Sequence, residues 1–132
     1  MNQKTDDKTA LLLIAHGSRN PRANQDIVDL ANRFLQRGHS IAEPCFLELA
    51  PPSIEDGGAK CVEQGARRVV MLPYFLSAGI HVVEDLLEAR NAMTERFPDV
   101  QFILAKPLGP HVMLEELLGM RLDEALASSA TS

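Results

Sequence analysis

The sequence predicts an α/β domain built on an open parallel sheet of four strands, and three observations carry that prediction. Short apolar runs alternate with longer amphipathic segments along the whole chain. The first run, "ALLLIA" at residues 10–15, is apolar at every position, as a strand buried on both faces of a parallel sheet requires. Proline and glycine also stand where such elements should begin and end.

Each element follows from local chemistry. After the first strand, Asn20-Pro21 opens a helix in which Ile27, Leu30, Ala31, Phe34 and Leu35 recur at helical spacing, and Gly38 ends it. A second strand covers 41–48. Pro51-Pro52-Ser53 begins a second helix that finishes near Gly65. "RRVVMLPYF" is the third strand, and a third helix lies within Gly79 to Phe97, with Val83, Leu86, Leu87 and Met93 on its apolar side and Pro98 stopping it. "VQFILA" is the fourth strand, and Pro110 begins a fourth helix. Right-handed crossovers restrict the topology, and the expected strand order is 2-1-3-4. One domain is expected over 10–127, between a flexible N-terminal tail at 1–9 and a flexible C-terminal tail at 128–132.

Composition excludes several function classes. With no Trp, one Tyr and a net charge of −5 across 132 residues, neither an aromatic platform for nucleic acid or sugars nor general attraction to a polyanion is supported. No apolar run reaches the roughly 18 residues of a membrane span, and the polar start "MNQKTDDKTA" has no signal core. A soluble cytoplasmic protein is expected, with no nucleic-acid or membrane partner. Cys45 and Cys61 lack metal-ribbon spacing and read as buried reduced thiols.

In an open parallel sheet, ligands bind beyond the carboxyl ends of the strands, near the point where strand order reverses. Three residues fall there. His16 follows the first strand, Glu48 ends the second, and His81 lies just past the third. In order 2-1-3-4 these strands are neighbours, so the three side chains are expected to converge on one cleft. Two imidazoles and a carboxylate suit a borderline divalent ion such as Co²⁺, Fe²⁺, Ni²⁺ or Zn²⁺, and three protein ligands leave coordination positions open for reaction. Gly17 lets the backbone turn and a ligand approach closely. His39, at the opposite edge, and His111, at the start of the last helix, read as surface residues.

"LLLIAHGSRNP", "FLELAPPSI" and "LPYFLSAGIHV" together resemble the class II tetrapyrrole chelatases of the CbiX/SirB type, which are sirohydrochlorin cobalto- and ferrochelatases. The resemblance runs from about Leu11 to Leu118. It implies a chelatase-like sheet of flavodoxin-like order and a lyase that inserts a divalent metal into sirohydrochlorin, in tetrapyrrole biosynthesis of the cobalamin or sirohaem type. Co²⁺ is the first choice, with Fe²⁺ or Ni²⁺ as alternatives. It also implies that His16 and His81 bind the metal and act in its insertion, with Glu48 at the acidic ligand position. The metal is then a substrate, and no permanently bound cofactor is expected. Many members carry two such halves. This chain resembles the short form, which works as a homodimer, and has Ala78 where a proline is common.

A substrate rimmed by carboxylates needs local positive charge. Ser18, Arg19 and Arg22 flank the start of the first helix, whose free N–H groups point the same way, and Lys106 follows the fourth strand on the same edge. Glu84 and Asp85 are candidates for the rim. Two other enzyme classes fail on their own motifs. Histidine phosphatases need an arginine before the histidine, where Ala15 stands, and α/β-hydrolases need a G-x-S-x-G elbow, which "FLSAG" lacks at Phe75. The alternative of a different kind is a non-catalytic protein that binds or delivers a divalent metal or a tetrapyrrole.

Overall fold

The computed structural model describes residues 6–130. Four strands and four helices alternate: β1 (Thr9–Ala15), α1 (Pro21–Gln36), β2 (Ile41–Phe46), α2 (Ile54–Glu63), β3 (Arg68–Pro73), α3 (Ile80–Arg96), β4 (Gln101–Leu104) and α4 (Val112–Ala130). All strand pairs are parallel and the order is β2-β1-β3-β4, as the crossover rule anticipates.

β1 is central and almost wholly buried because its side chains alternate between two apolar layers. Leu12 and Ile14 point into a core with Cys45, Val69, Met71 and Phe102, closed by Cys61 of α2 and Leu86 and Met93 of α3. Leu11 and Leu13 point the other way, with Ala42 and Phe46, under Ile27 and Ala31 of α1. Two glycines bring α2 in close. A Cβ at Gly57 would lie 2.8 Å from that of Cys45, and one at Gly58 would collide with Met93 Sδ. α4 is different: it packs closely on no other strand or helix among the described residues.

Helix starts follow the cap chemistry. The Asn20 side chain accepts from the N–H of Arg22 at 3.0 Å, and Ser53 Oγ accepts from the N–H of Asp56 at 3.2 Å. β2 ends at Phe46 instead of residue 48, although Leu47 and Glu48 still bond to the end of β1 before the chain turns at Leu49, which takes φ 67°.

Both expected tails are shorter within the described residues. Asp6 accepts from Lys8 N–H and Thr9 Oγ1, each at 2.9 Å, and lies 3.6 Å from Arg68, so the chain is tied down before Thr9 opens β1. Those hydrogen bonds hold the Asp6 carboxyl below its ordinary pKa. At the other end α4 runs on to Ala130, since residues 127–130 are only Ala and Ser, with no glycine or proline to stop it. Residues 1–5 and 131–132 lie outside the described residues. His39 corrects a second expectation: it is buried, folded back from the Gly38 turn so that its ring meets Phe34 edge-on at 5.5 Å. No described helix is long and apolar enough to cross a membrane.

Two outcomes follow. Leu12→Ala, at a fully buried position in the central strand, should cost about 3 kcal/mol in urea unfolding, with the slope unchanged. The second concerns the thiols. Burial pushes Cys61 from its ordinary 9.0 up to about 12, and Cys45 further still. Both are expected to resist alkylation in the folded protein and react on unfolding. Their ionisation in the unfolded chain alone should leave stability unaffected below about pH 9 and lower it as pH rises beyond, measured by denaturant titration across that range.

Candidate functional site

The carboxyl edge of the sheet is organised by one close approach. After Ala15 the chain turns at Gly17, which takes φ +96°, and a Cβ there would run into the carbonyl oxygen of Glu48. Only glycine serves at this position. The approach lets the segment after β2 continue its bonding past the end of the strand: Leu47 N–H donates to Ala15 O at 2.9 Å and Glu48 N–H to His16 O at 3.0 Å. His16 and Glu48 are thereby fixed side by side through their backbones, with both side chains exposed.

The imidazole of His16 is oriented by a ring the motif reading passed over. Phe75 is 4% exposed and stacks on His16 with ring centroids 4.2 Å apart and planes 30° from parallel. Parallel register could have found it. Ile14 pairs with Pro73, and Tyr74 N–H donates to Ile14 O at 2.7 Å, so two residues further on His16 meets Phe75. One face of the imidazole is covered, and the ring nitrogens stand at the edge of a fixed plane.

His81 lies in the first turn of α3, which begins beyond the same edge of the sheet. Its side chain is 98% exposed, and Nδ1 is 3.9 Å from Glu84 Oε2, one helical turn away. Gly79 caps α3 without a side-chain bond, so the N–H groups of that turn have no side-chain partner at the cap. The three expected ligands share an edge but do not share a coordination sphere: among the described residues, no three His, Cys, Asp or Glu side chains are gathered closely enough to hold a metal ion.

The expected anion site at α1 is altered by local bonding. Ser18 N–H donates to Asn24 Oδ1 at 2.9 Å, and Asn24 Nδ2 donates back to Ser18 O at 2.7 Å. Ser18 Oγ accepts from Asn20 N–H, and Asn20 in turn takes the N–H of Arg22. The backbone donors offered to a ligand by sequence reasoning are thus partly consumed within the loop. Arg19 and Arg22 remain, exposed, as the charge on that side. Lys106 is exposed at the mouth of two apolar hollows, one toward Tyr74 and Leu108 and one toward Ala78 and Val83. Asp85 is exposed and joins Glu84 at the start of α3. His111 has a structural task, since its Nδ1 accepts from Met113 N–H at 3.0 Å at the start of α4.

Comparison with known proteins places this edge in a family. A sirohydrochlorin ferrochelatase of Arabidopsis thaliana chloroplasts is 34% identical over 92% of this chain, and the match covers 54% of that protein. A sirohydrochlorin cobaltochelatase of Sulfolobus acidocaldarius is 30% identical over 92% of this chain and 96% of its own length. Among solved structures, the sirohydrochlorin chelatase SirB from Bacillus subtilis subspecies spizizenii, in complex with cobalt, superposes with a TM-score of 0.80 at 29% identity, over 89% of this chain and 50% of that one. The chain thus spans about half the length of the Arabidopsis and Bacillus relatives and nearly all of the Sulfolobus one. Residues 10–125 match the CbiX family model, and with these relatives beside it the chain belongs to the CbiX family.

Proposed function

We propose that this protein inserts a divalent metal into sirohydrochlorin, acting as a homodimer in the cytoplasm. The observation that carries the reading is the fixed His16 imidazole, stacked on Phe75 and bonded through its backbone to Glu48 at the carboxyl edge of the sheet. The names of the relatives supply the substrate class. Insertion exchanges one divalent ion for two pyrrole protons, so the site must hold a metal loosely, present it to the ring and take up protons. Neutral imidazole does both near neutral pH, with an unperturbed pKa of about 6.5. His16 and His81 hold the ion, one of them accepts a pyrrole proton as the ion leaves, and Glu48 completes the site or assists that transfer.

The carboxylates of the macrocycle meet Arg19, Arg22 and Lys106, with Ser18 Oγ beside them and the uncapped first turn of α3 opposite. The apolar hollow between Ala78, Val83, Leu86 and Pro107 takes an uncharged edge of the ring. A single chain of this size covers only part of so large a ring, which is the ground for the dimer. Nitrogen and carboxylate ligands rank Ni²⁺ above Co²⁺ above Fe²⁺ in affinity, so supply decides which ion is used, and Co²⁺ is the first choice. One observation favours a second reading, a protein that binds or delivers metal or macrocycle without inserting anything: the three ligands stand apart in the single chain.

The test is an anaerobic absorbance time course with sirohydrochlorin and Co²⁺, Fe²⁺ or Ni²⁺ in turn, beside a protein-free control. One metal should give a protein-dependent insertion rate, reduced about a hundredfold or more in His16→Ala and in His81→Ala. Binding of metal or macrocycle without acceleration would leave the delivery reading standing. Gly17→Ala should lower insertion as well, because the added methyl drives the Glu48 segment away from His16. It should also cost about 2 kcal/mol in thermal or urea unfolding, from the left-handed backbone and the collision together.

A further inference from the structure

Leu49 holds a backbone conformation that its own surroundings do not repay. Among the described residues it is the only one other than glycine with a positive φ, at 67°. A bulky side chain is rare in that left-handed region, where glycine sits freely and asparagine is tolerated. The backbone is fixed on both sides of it. Glu48 N–H donates to His16 O at 3.0 Å. Ala50 N–H donates to Glu48 O at 2.9 Å, which closes a γ-turn with Leu49 at its centre. The same Glu48 carbonyl is the group that a Cβ at Gly17 would strike. Strain of this kind gathers at sites where function uses it. Burial does not compensate for it here, since Leu49 is 54% exposed.

The residues around the turn say what covers that side chain. Leu49 follows Glu48, Leu76 follows Phe75, and Ile80 precedes His81. Leu76 is 70% exposed and Ile80 76%. Scattered exposed aliphatics are ordinary, but three beside the ligands and the stacked ring of one edge call for an apolar partner. A metal ion enters a tetrapyrrole through the face of the ring, so the groups beside its ligands meet that face. The face is apolar, and the carboxylates lie at the rim. Exposed aliphatic side chains next to the ligands suit the one, and the charges of Arg19, Arg22 and Lys106 suit the other.

We propose that Leu49 is a substrate contact: its side chain lies against the face of the tetrapyrrole beside Glu48, and the strained turn presents it there. The identity of the ring rests on the chelatase reading above. One residue then has two tasks. Its backbone reverses the chain after Glu48, and its side chain covers the ring. A glycine would do the first without strain and fail at the second.

Absorbance titration of the full chain with metal-free sirohydrochlorin tests this, beside insertion kinetics. Leu49→Gly and Leu49→Asn keep a left-handed turn and remove the aliphatic contact. Both should weaken ring binding about tenfold, as the loss of one covered leucine does. Both should also raise KM for the ring more than they lower kcat. Leu49→Met, apolar and similar in volume, should bind within about threefold of the unaltered protein. The urea midpoint of Leu49→Gly should hold or rise, since relief of the turn offsets the little burial that is lost.

Unchanged affinity in Leu49→Gly and Leu49→Asn overturns the contact. So does Leu49→Met binding as poorly as Leu49→Gly, since the side chain's apolar character would then not matter. A lower urea midpoint in Leu49→Gly would mean that the leucine is anchored within its own chain. A lower mass by light scattering would assign it to a contact between copies. Either result also overturns it. An unaltered protein that inserts metal, with variants that bind the ring as it does, sinks the contact and spares the chelatase reading. Ring binding weakened in the variants, with no acceleration of insertion by the unaltered protein, does the reverse. An unaltered protein that binds no sirohydrochlorin sinks both.

Discussion

Everything at the carboxyl edge depends on β1 being hydrogen-bonded on both sides and buried on both faces. Its partners β2 and β3 are in parallel register with it residue for residue, from Ala10 to Ile14. Side chains at matched positions therefore fall on the same face, and the ends of three strands come level. That alignment carries the backbone bonds beyond the strands, Glu48 to His16 on one side and Tyr74 to Ile14 on the other. A slip of one residue would turn Leu12 and Ile14 into the opposite layer and part His16 from Phe75. The apolar core and the placement of the functional edge are one constraint seen from two ends.

At this edge the fold combines a covered imidazole with an exposed one. The backbone of His16 is held by the turn at Gly17 and by the bond from Glu48 N–H to its carbonyl, and the imidazole by the Phe75 ring. His81 stands at the opposite extreme, almost wholly in solvent at the start of a helix. A transfer site profits from such inequality. For the proposed transfer, an imidazole already held in place would fix where the ion sits, and one free in solvent would let the coordination change as the ion moves on.

Most of the fold was legible in the sequence because its elements are locally consistent: caps, breakers and apolar spacing agree at Asn20-Pro21, Gly38, Ser53 and Pro98. Strand order followed from chirality. His16 and Glu48 could be placed together because strand ends in a parallel sheet are predictable. What escaped depends on side-chain geometry that spacing does not encode. Asn24 reaches back to Ser18 across six residues, His111 caps α4 through a ring nitrogen, and His39 turns inward on Phe34. The glycine pair of α2 was passed over as well, since glycine inside a helix reads as weakness until Cys45 and Met93 fill the space.

The self-bonded loop at the start of α1 also decides how an anion is met there. Backbone N–H groups aimed at a ligand are fixed in direction and close at hand, whereas here those of Ser18 and Arg22 are taken within the loop by the side chains of Asn24 and Asn20. What faces outward is Arg19 and Arg22, long side chains with exposed charge. Charges of that kind act through water, over a distance set by the surrounding electrolyte, and tolerate many poses of the partner. For the proposed carboxylate-bearing substrate, recognition on this side of the edge would then be a matter of attraction more than of fit: strong in dilute salt, fading as ionic strength rises, and indifferent to small differences among such rings.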